Sequence, residues 1–287
     1  MALSPAHKFG QIIGDILEAC VRPILQEIAD QFGLYLDYKR PRAARGGKAN
    51  VQWTDASGNR HNLDFVIEKG GTEEVIGRPK AFIESAWRRY TKHSRNKAQE
   101  IQGAVLPLAQ AYADCHPFLG AIIGGIFTAG SITQLKSLGF EVLYFPYSSV
   151  VSAFAEVGID ARVDEDTSDV DVQRKVRAYE ALDETQRLRI HAHLRNLHKD
   201  DVRKFSIALA TVIKRSIKSV LIIPLHGSRY ESPTIAKAIK MLRNYDESEA
   251  GTPFVRYEVF VSYNNGDEIK GDFENKTDAI SFLRCMS

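Results

Sequence analysis

Three carboxylates and a dense run of cations lie close together in the sequence, between positions 64 and 100. Asp64 and Glu84 fall on two predicted strands, and Glu100 falls on the predicted helix that follows them. Carboxylate oxygens suit Mg²⁺, which often takes one or two of them from a protein and keeps water or phosphate oxygens elsewhere. These residues therefore predict a Mg²⁺ site for phosphodiester chemistry, with Mn²⁺ as a substitute.

The charges around Glu84 support this interpretation. Between Arg78 and Lys97 the chain has seven Lys or Arg residues and a single acid, Glu84. An exposed surface usually mixes the two signs of charge more evenly. Many strands end in an Asp and many helices carry an outward Glu, so the carboxylates alone would be ordinary. The cations beside them favour a site that holds a metal and a phosphate together.

Strands and helices predicted from the hydrophobic pattern would position these side chains. Residues 8–32 are typical of an amphipathic helix, which Pro23 is expected to kink or divide. The elements predicted next are strands over 51–54 and 61–67, a strand over 81–87, a helix from about 95 to 112, a strand over 118–127, a helix over 131–138 and a strand over 140–145. This alternation predicts an α/β fold in which a mixed central β-sheet is flanked by helices.

A change of composition near residue 155 divides the chain into two predicted regions. Residues 1–152 form the expected catalytic core. Residues 153–287 are expected to complete the fold as a helical and then α+β region, and to serve dimerisation and DNA recognition. A hairpin over 254–273, around Asn264-Asn-Gly266, is its clearest signal.

The bulk properties limit the remaining classes of function. The net charge is only +2, so binding to nucleic acid must depend on local patches. No apolar run is long enough to span a bilayer, and the first residues lack the pattern of a signal peptide. The three cysteines are far apart, which indicates reduced thiols rather than a disulfide framework. A cytoplasmic location is therefore expected.

The order Asp64, then Glu84, then an acid further along a helix resembles the PD-(D/E)XK nuclease superfamily, and most closely its type II restriction endonucleases. The resemblance covers about half the chain, and it implies a restriction-endonuclease-like core. It also implies that Asp64 is the bridging metal ligand, that Glu84 is the strand acid and that Glu100 is a ligand supplied from the helix. Glu18 resembles an acid that many members carry on the first helix.

The function implied by this resemblance is Mg²⁺-dependent, sequence-specific cleavage of double-stranded DNA. A homodimer is expected, because two-fold protein symmetry matches a symmetric site. A cognate DNA methyltransferase is expected in the same system. The alternatives are a catalytically inactive DNA-binding protein on the same fold, and a DNA repair or RNA-processing nuclease.

Ala86 departs from the family pattern, which places a catalytic lysine there. Three explanations stay open: the lysine was replaced to trap an uncut complex, the cation comes from elsewhere, or the chain no longer cuts. For the second explanation Lys97 is preferred, because it precedes Glu100 by three residues on one helical face. Lys80 and Arg88 lie too far along the strand from Glu84.

Two basic segments are predicted to contact DNA. One joins the strand of Glu84 to the next helix, whose N-terminus attracts phosphate, and its candidates are Arg88, Arg89, Lys92, His93, Ser94, Arg95 and Asn96. The other is the loop over 39–48, with candidates Lys39, Arg40, Arg42 and Arg45. The first segment could read bases or only hold phosphates, and the loop could wrap DNA or be disordered.

Overall fold

A computed structural model describes residues 4–90, 94–225, 227–248 and 253–286. The chain divides into two compact units between Ile213 and Lys214. The boundary predicted from composition, between residues 152 and 153, lies much earlier. The difference arises because the helices that follow residue 168 pack against the first helix of the chain and so belong to the first unit. Within the described residues, no helix is long and apolar enough to cross a membrane.

The first unit contains seven strands and seven α-helices among its described residues. The strands are β1 (Tyr35–Tyr38), β2 (Val51–Thr54), β3 (Arg60–Leu63), β4 (Phe65–Lys69), β5 (Arg78–Arg88), β6 (Phe118–Gly125) and β7 (Glu141–Pro146). The helices are α1 (Pro5–Gln31), α2 (Ser94–Ala111), α3 (Ala129–Ser137), α4 (Tyr147–Ala155), α5 (Asp169–Glu180), α6 (Glu184–Leu197) and α7 (Lys199–Ile213).

A five-stranded mixed sheet forms the centre of this unit, in the order β1-β4-β5-β6-β7. β1, β4 and β5 pair antiparallel, whereas β5, β6 and β7 pair parallel. The parallel part follows from the helical crossovers α2 and α3, which return the chain to the same end of the sheet. The prediction of a mixed α/β sheet flanked by helices is confirmed.

Helices cover both faces of the sheet because β5 alternates apolar side chains between them. Ile83 and Trp87 face the core formed with α1 and α4–α7, whereas Phe82 and Ala86 face the core formed with α2 and the β2–β3 hairpin. A strand with two apolar faces needs cover on both sides. The alternation also places Glu84 on the same face as Ala86, toward α2.

Helix α1 runs without interruption through Pro23, which was expected to kink or divide it. A proline inside a helix removes one backbone hydrogen bond, and the freed carbonyl needs another partner. Arg22 and Pro23 lie on the exposed side of α1, where water can solvate that carbonyl. The buried side of α1 carries ten apolar residues, and their packing keeps the helix in one piece.

The strand predicted over 61–67 is divided at Asp64. Residues Arg60–Leu63 pair with β2 in a separate hairpin, whereas Phe65–Lys69 join the central sheet. Asp64 therefore lies where the chain passes from one sheet to the other. β1, which carries Asp37, was not predicted, because Tyr35–Tyr38 is too short to show a period of two.

The second unit, described by itself, is a four-stranded antiparallel sheet with two helices. Its strands, β8 (Ile217–Pro224), β9 (Tyr230–Ser232), β10 (Tyr257–Tyr263) and β11 (Glu268–Phe273), are ordered β11-β10-β8-β9. The helices are α8 (Ile235–Asn244) and α9 (Lys276–Cys285). The hairpin predicted around Asn264-Asn-Gly266 is confirmed as β10–β11, with Gly266 at φ 92° in the turn.

Candidate functional site

Asp64 and Glu84 lie opposite each other at the junction of β4 and β5. The register pairs Phe65 with Ile83, and one further step along both strands sets Asp64 against Glu84. The backbone N–H of Ser85 donates to Asp64 Oδ2 at 2.7 Å. The backbone N–H of Asp64 lies close enough to Glu84 to lower the pKa of its carboxyl. The two carboxylates therefore lie near each other, which was the condition for them to share a cation.

Glu84 is buried and Asp64 is partly buried, and their electrostatics follow from that burial. Glu84 is 9% exposed, and burial, followed by the neighbouring Asp64 charge, raises its pKa well above the usual value. Burial also raises the pKa of Asp64, although the Ser85 hydrogen bond opposes the shift. Glu84 Oε1 is buried and accepts no hydrogen bond from the described residues. A buried and a partly buried carboxylate next to each other form a pair that a cation would stabilise.

Lys97 supplies positive charge to this pair from helix α2. Its ammonium lowers the pKa of both Asp64 and Glu84, so it lies near both carboxylates. The Lys97 side chain is 21% exposed. Ala86, at the position where a strand lysine was expected, is buried against the α2 side of the sheet. The chain therefore has a cation beside its carboxylates, although it is carried by the helix and not by the strand.

Glu100 does not join the carboxylate pair, contrary to the expectation that it would be a third metal ligand. Its Oε2 lies 3.1 Å from Lys97 Nζ and 3.4 Å from the Arg88 guanidinium, and its side chain is 55% exposed. In the described part of the chain, no group of three or more His, Cys, Asp or Glu side chains is arranged to hold a metal ion. The physical reason is that Lys97 on α2 and Arg88 at the end of β5 hold Glu100 outward.

Glu18 approaches the pair from α1 on the other side. Burial, then the charges of Asp64 and Asp15, raise its pKa to about 7. Glu18 in turn contributes to the raised pKa of Glu84. Lys39 and Arg22 oppose the shift at Glu18. Glu18 was a candidate only through the family resemblance. Sequence spacing alone does not show which turn of α1 faces β5.

A cleft opens beside the carboxylate pair, and we call it the α1–β5 cleft. It is bounded by the first turns of α1, from Ala6 to Gly14, by Ser85–Tyr90 at the end of β5, and by Lys97. Its volume is about 500 Å³. Arg88 and Arg89, both predicted DNA contacts, lie on its wall. The cleft therefore carries positive charge and begins at Ser85, the residue after Glu84.

The structure describes only some of the other predicted DNA contacts between β5 and α2. Arg95 and Asn96 are exposed in the first turn of α2, where free backbone N–H groups favour an anion. Ser94 begins α2, but its side chain is outside the described atoms. Lys92 and His93 lie outside the described residues altogether.

The basic loop over 39–48 is folded against the sheet, so it is neither a free DNA-binding arm nor disordered. Arg42 is 1% exposed, and its guanidinium lies 2.8 Å from Asp37 and 2.7 Å from Glu68, both fully buried. The Arg42 side chain also donates to the carbonyls of Thr72 and Val75 at 2.7 Å each. Predicting Arg42 as a DNA contact was therefore wrong, because its charge is used to neutralise two buried acids.

Two neighbours of Arg42 are also engaged within the protein. Arg45 pairs with Asp37, and its side chain is 6% exposed. Arg40 pairs with Glu73 and packs against the ring of Tyr38. Lys39 alone among the four predicted cations of this loop is exposed, and its charge lowers the pKa of Asp64 and Glu18. Of the four candidates, Lys39 is the one placed to meet a ligand at the carboxylates.

Serine–histidine–acid contacts also occur, between α4 and the helices packed on it. Ser152 Oγ lies 3.0 Å from His193 Nε2, and His193 Nδ1 lies 3.3 Å from Glu156. Ser152 lies inside α4, where helical hydrogen bonds use the backbone N–H groups that an oxyanion would need. The arrangement therefore joins two helices and does not form a hydrolase triad.

Comparison with models of protein families, with curated proteins and with solved structures gives no match to this chain. The functional assignment therefore depends on the geometry and chemistry of the site.

Proposed function

We propose that this chain is a Mg²⁺-dependent nuclease that hydrolyses phosphodiester bonds at Asp64 and Glu84. The observation that carries the proposal is the pair of carboxylates itself, in which the buried Glu84 Oε1 has no hydrogen-bond partner among the described residues. Mg²⁺ needs only one or two carboxylates when phosphate and water supply its other oxygens. The pair fits such an ion, and Mn²⁺ has the same preference for oxygen ligands.

The residues of the site divide the work as follows. Asp64 and Glu84 would hold the metal, which when bound would acidify a water molecule and stabilise the charge on phosphate. Lys97 lies close enough to lower the pKa of both carboxyls, and from there it can orient that water or neutralise the phosphate. Arg88 and Arg89 line the adjoining cleft and are suited to hold neighbouring phosphates. Lys39 adds positive charge from the opposite side of Asp64.

Within this class, we propose a type II restriction endonuclease that cuts duplex DNA as a homodimer. The order of Asp64 and Glu84 on adjacent strands, followed by a helix with Lys97, supports a restriction-endonuclease-like core. Lys97 then replaces the lysine that the family carries at the position of Ala86. A protein with this role would work beside a cognate DNA methyltransferase in the cytoplasm.

A digestion assay tests the proposal. The wild-type chain is incubated with phage genomic DNA in Mg²⁺, in Mn²⁺ and in EDTA, beside the Asp64→Asn variant and a Glu274→Gln control. Glu274 is an exposed acid of the second unit. Discrete fragments from the wild type and the control, and none from Asp64→Asn or in EDTA, are expected.

Three outcomes would contradict or change the assignment. Full Mg²⁺-dependent cleavage by Asp64→Asn would place the chemistry elsewhere. Bound but uncut DNA would instead favour a DNA-binding protein without catalysis, for which Ala86 is the structural argument. Cleavage of RNA in the same assay would favour an RNA-processing nuclease.

A further inference from the structure

The α1–β5 cleft has an apolar wall and a positively charged wall, and the two walls suit different parts of one ligand. Ala6, Gly10, Gly14, Ala86 and Trp87 present apolar atoms, whereas Arg88, Arg89 and Lys97 carry positive charge. A groove that only followed a phosphate backbone would not need the apolar wall. A nucleotide combines an apolar base face with an anionic phosphate, so it matches both walls.

Two glycines keep the cleft open, and packing does not account for them. Gly10 and Gly14 lie one turn apart inside α1, where glycine is less favourable than alanine. A Cβ at Gly14 would meet no atom within 4 Å, and a Cβ at Gly10 would meet Trp87 at an ordinary 3.9 Å. Neither φ is positive, so the backbone does not demand glycine either. A side chain at position 14 would extend into the cleft and fill part of its space.

A second observation connects this space to the proposed chemistry. Glu84 is 9% exposed, and its Oε1 has no hydrogen-bond partner among the described residues. The two residues that follow Glu84 on β5, Ser85 and Ala86, line the cleft, as does Lys97. A ligand that supplies a partner at Glu84, through a metal and its phosphate, would therefore place the adjoining nucleotide at the cleft.

The cleft is open to solvent, and its volume of about 500 Å³ is in the range of sites for small ligands. A base stacked inside a duplex reaches such a cleft only by leaving the stack, which costs free energy. Contact with the small exposed part of Trp87, and charge from Arg88 and Arg89, would offset part of that cost.

We propose that the α1–β5 cleft binds one unpaired nucleotide of the DNA strand, next to the phosphate at Asp64 and Glu84. This inference rests on the proposed nuclease function and narrows its substrate to DNA in which one nucleotide has left the duplex.

A binding comparison in Ca²⁺, which takes oxygen ligands as Mg²⁺ does, tests it through binding alone. The probes are a fluorescent duplex of 20 base pairs and the same duplex with a single-nucleotide bulge. The wild type is expected to bind the bulged duplex at least tenfold more tightly. Gly14→Leu should remove that preference and leave binding to the paired duplex within twofold. Gly103→Leu is the matched control, because Gly103 is an exposed helical glycine with equally open space around a Cβ.

The outcomes separate this inference from the function it rests on. The proposed nucleotide pocket is wrong if the wild type binds both probes equally. It is also wrong if Gly14→Leu and Gly103→Leu show the same preference for the bulged duplex. If the same preparation still cuts DNA in Mg²⁺, the nuclease proposal survives that result. If it neither binds nor cuts any DNA, both fail. Gly14→Ala provides a smaller change should Gly14→Leu not fold, and it should reduce the preference partly.

Discussion

Lys97 on α2 lies near Glu84 on β5, and its ammonium opposes the strong rise in the pKa of that carboxyl. The same ammonium lies 3.1 Å from Glu100 Oε2. Lys97 thus connects an exposed acid on the helix to a buried acid on the strand. This relationship assigns Glu100 and Lys97 different roles: the lysine belongs to the site, whereas the glutamate restrains it from outside.

Replacing Lys97 tests whether the helix supplies the cation missing at Ala86. Lys97→Ala is expected to reduce the rate of DNA cleavage by about 10²-fold or more, because a positioned cation in a buried site contributes several kcal/mol to catalysis. Adding Ala86→Lys to Lys97→Ala should restore part of the rate. Single-turnover rates of plasmid cleavage measure both effects.

The control for this experiment is Lys136→Ala, which changes an exposed lysine in the last turn of α3. It should leave the rate within twofold. Cleavage by Lys97→Ala at the wild-type rate would remove Lys97 from the mechanism. A double variant no faster than Lys97→Ala would show that the two positions are not equivalent.

Glu84→Gln should raise the melting temperature of the metal-free protein and remove its response to Mg²⁺. In EDTA at pH 8, the variant is expected to melt at a higher temperature than the wild type, because a buried negative charge is removed beside Asp64. Mg²⁺ should raise the melting temperature of the wild type by binding the folded state, and should not raise that of Glu84→Gln. Equal shifts with Mg²⁺ in the two proteins would place the metal elsewhere.

Glu18 predicts a pH dependence of stability in the first unit. Its folded-state pKa of about 7 lies above the ordinary 4.5, so the folded protein binds more protons between these values than the unfolded chain. The free energy of unfolding therefore falls as pH rises through this window, and the contribution is fully present only below it. Glu18→Gln should lose this dependence, on the order of 1–3 kcal/mol, since one pKa unit corresponds to about 1.4 kcal/mol.

Urea unfolding at pH 5 and pH 8, followed by tryptophan fluorescence, measures this difference. Trp53 and Trp87 are the two tryptophans of the chain and both lie in the first unit, so the signal reports that unit alone. Glu27→Gln is the control, because Glu27 is exposed on the same helix. The account of Glu18 is wrong if both variants follow the wild-type pH profile.

Arg42 is predicted to act on folding and not on DNA directly. Arg42→Ala leaves Asp37 and Glu68 buried without their cation, which should lower the free energy of unfolding by about 3–5 kcal/mol. Arg60→Ala, at an exposed position on β3, should change it by less than about 0.5 kcal/mol. Unchanged stability together with weakened DNA binding in Arg42→Ala would restore the DNA-binding interpretation of the loop.

The sequence predicted the features that depend on local pattern. Alternation along 81–87 placed Glu84 on one face of a strand, and the spacing of Lys97 and Glu100 placed both on one face of α2. The mixed sheet also followed, because strands and helices alternate from residue 81 to residue 145. These inferences needed no knowledge of which distant segments touch.

The features that the sequence did not reveal depend on distant contacts. The charge run over 39–48 gives no sign that Arg42 enters the core, because its partners Asp37 and Glu68 come from β1 and β4. Likewise, α5–α7 join the first unit only because they pack with α1 in one core, so composition placed the boundary too early. Asp37 lies between apolar and aromatic neighbours in a short segment. An acid in such a place was the one local indication of a buried ion pair.

The central claim is that Asp64 and Glu84 form the metal site of a nuclease. Its most direct test is the rate of Mg²⁺-dependent cleavage of supercoiled plasmid or phage DNA by the wild type, Glu84→Gln and the Glu274→Gln control. We predict cleavage by the wild type and the control at equal rates, and a loss of at least 10³-fold in Glu84→Gln with DNA binding retained. Cleavage by Glu84→Gln at the wild-type rate would contradict the claim.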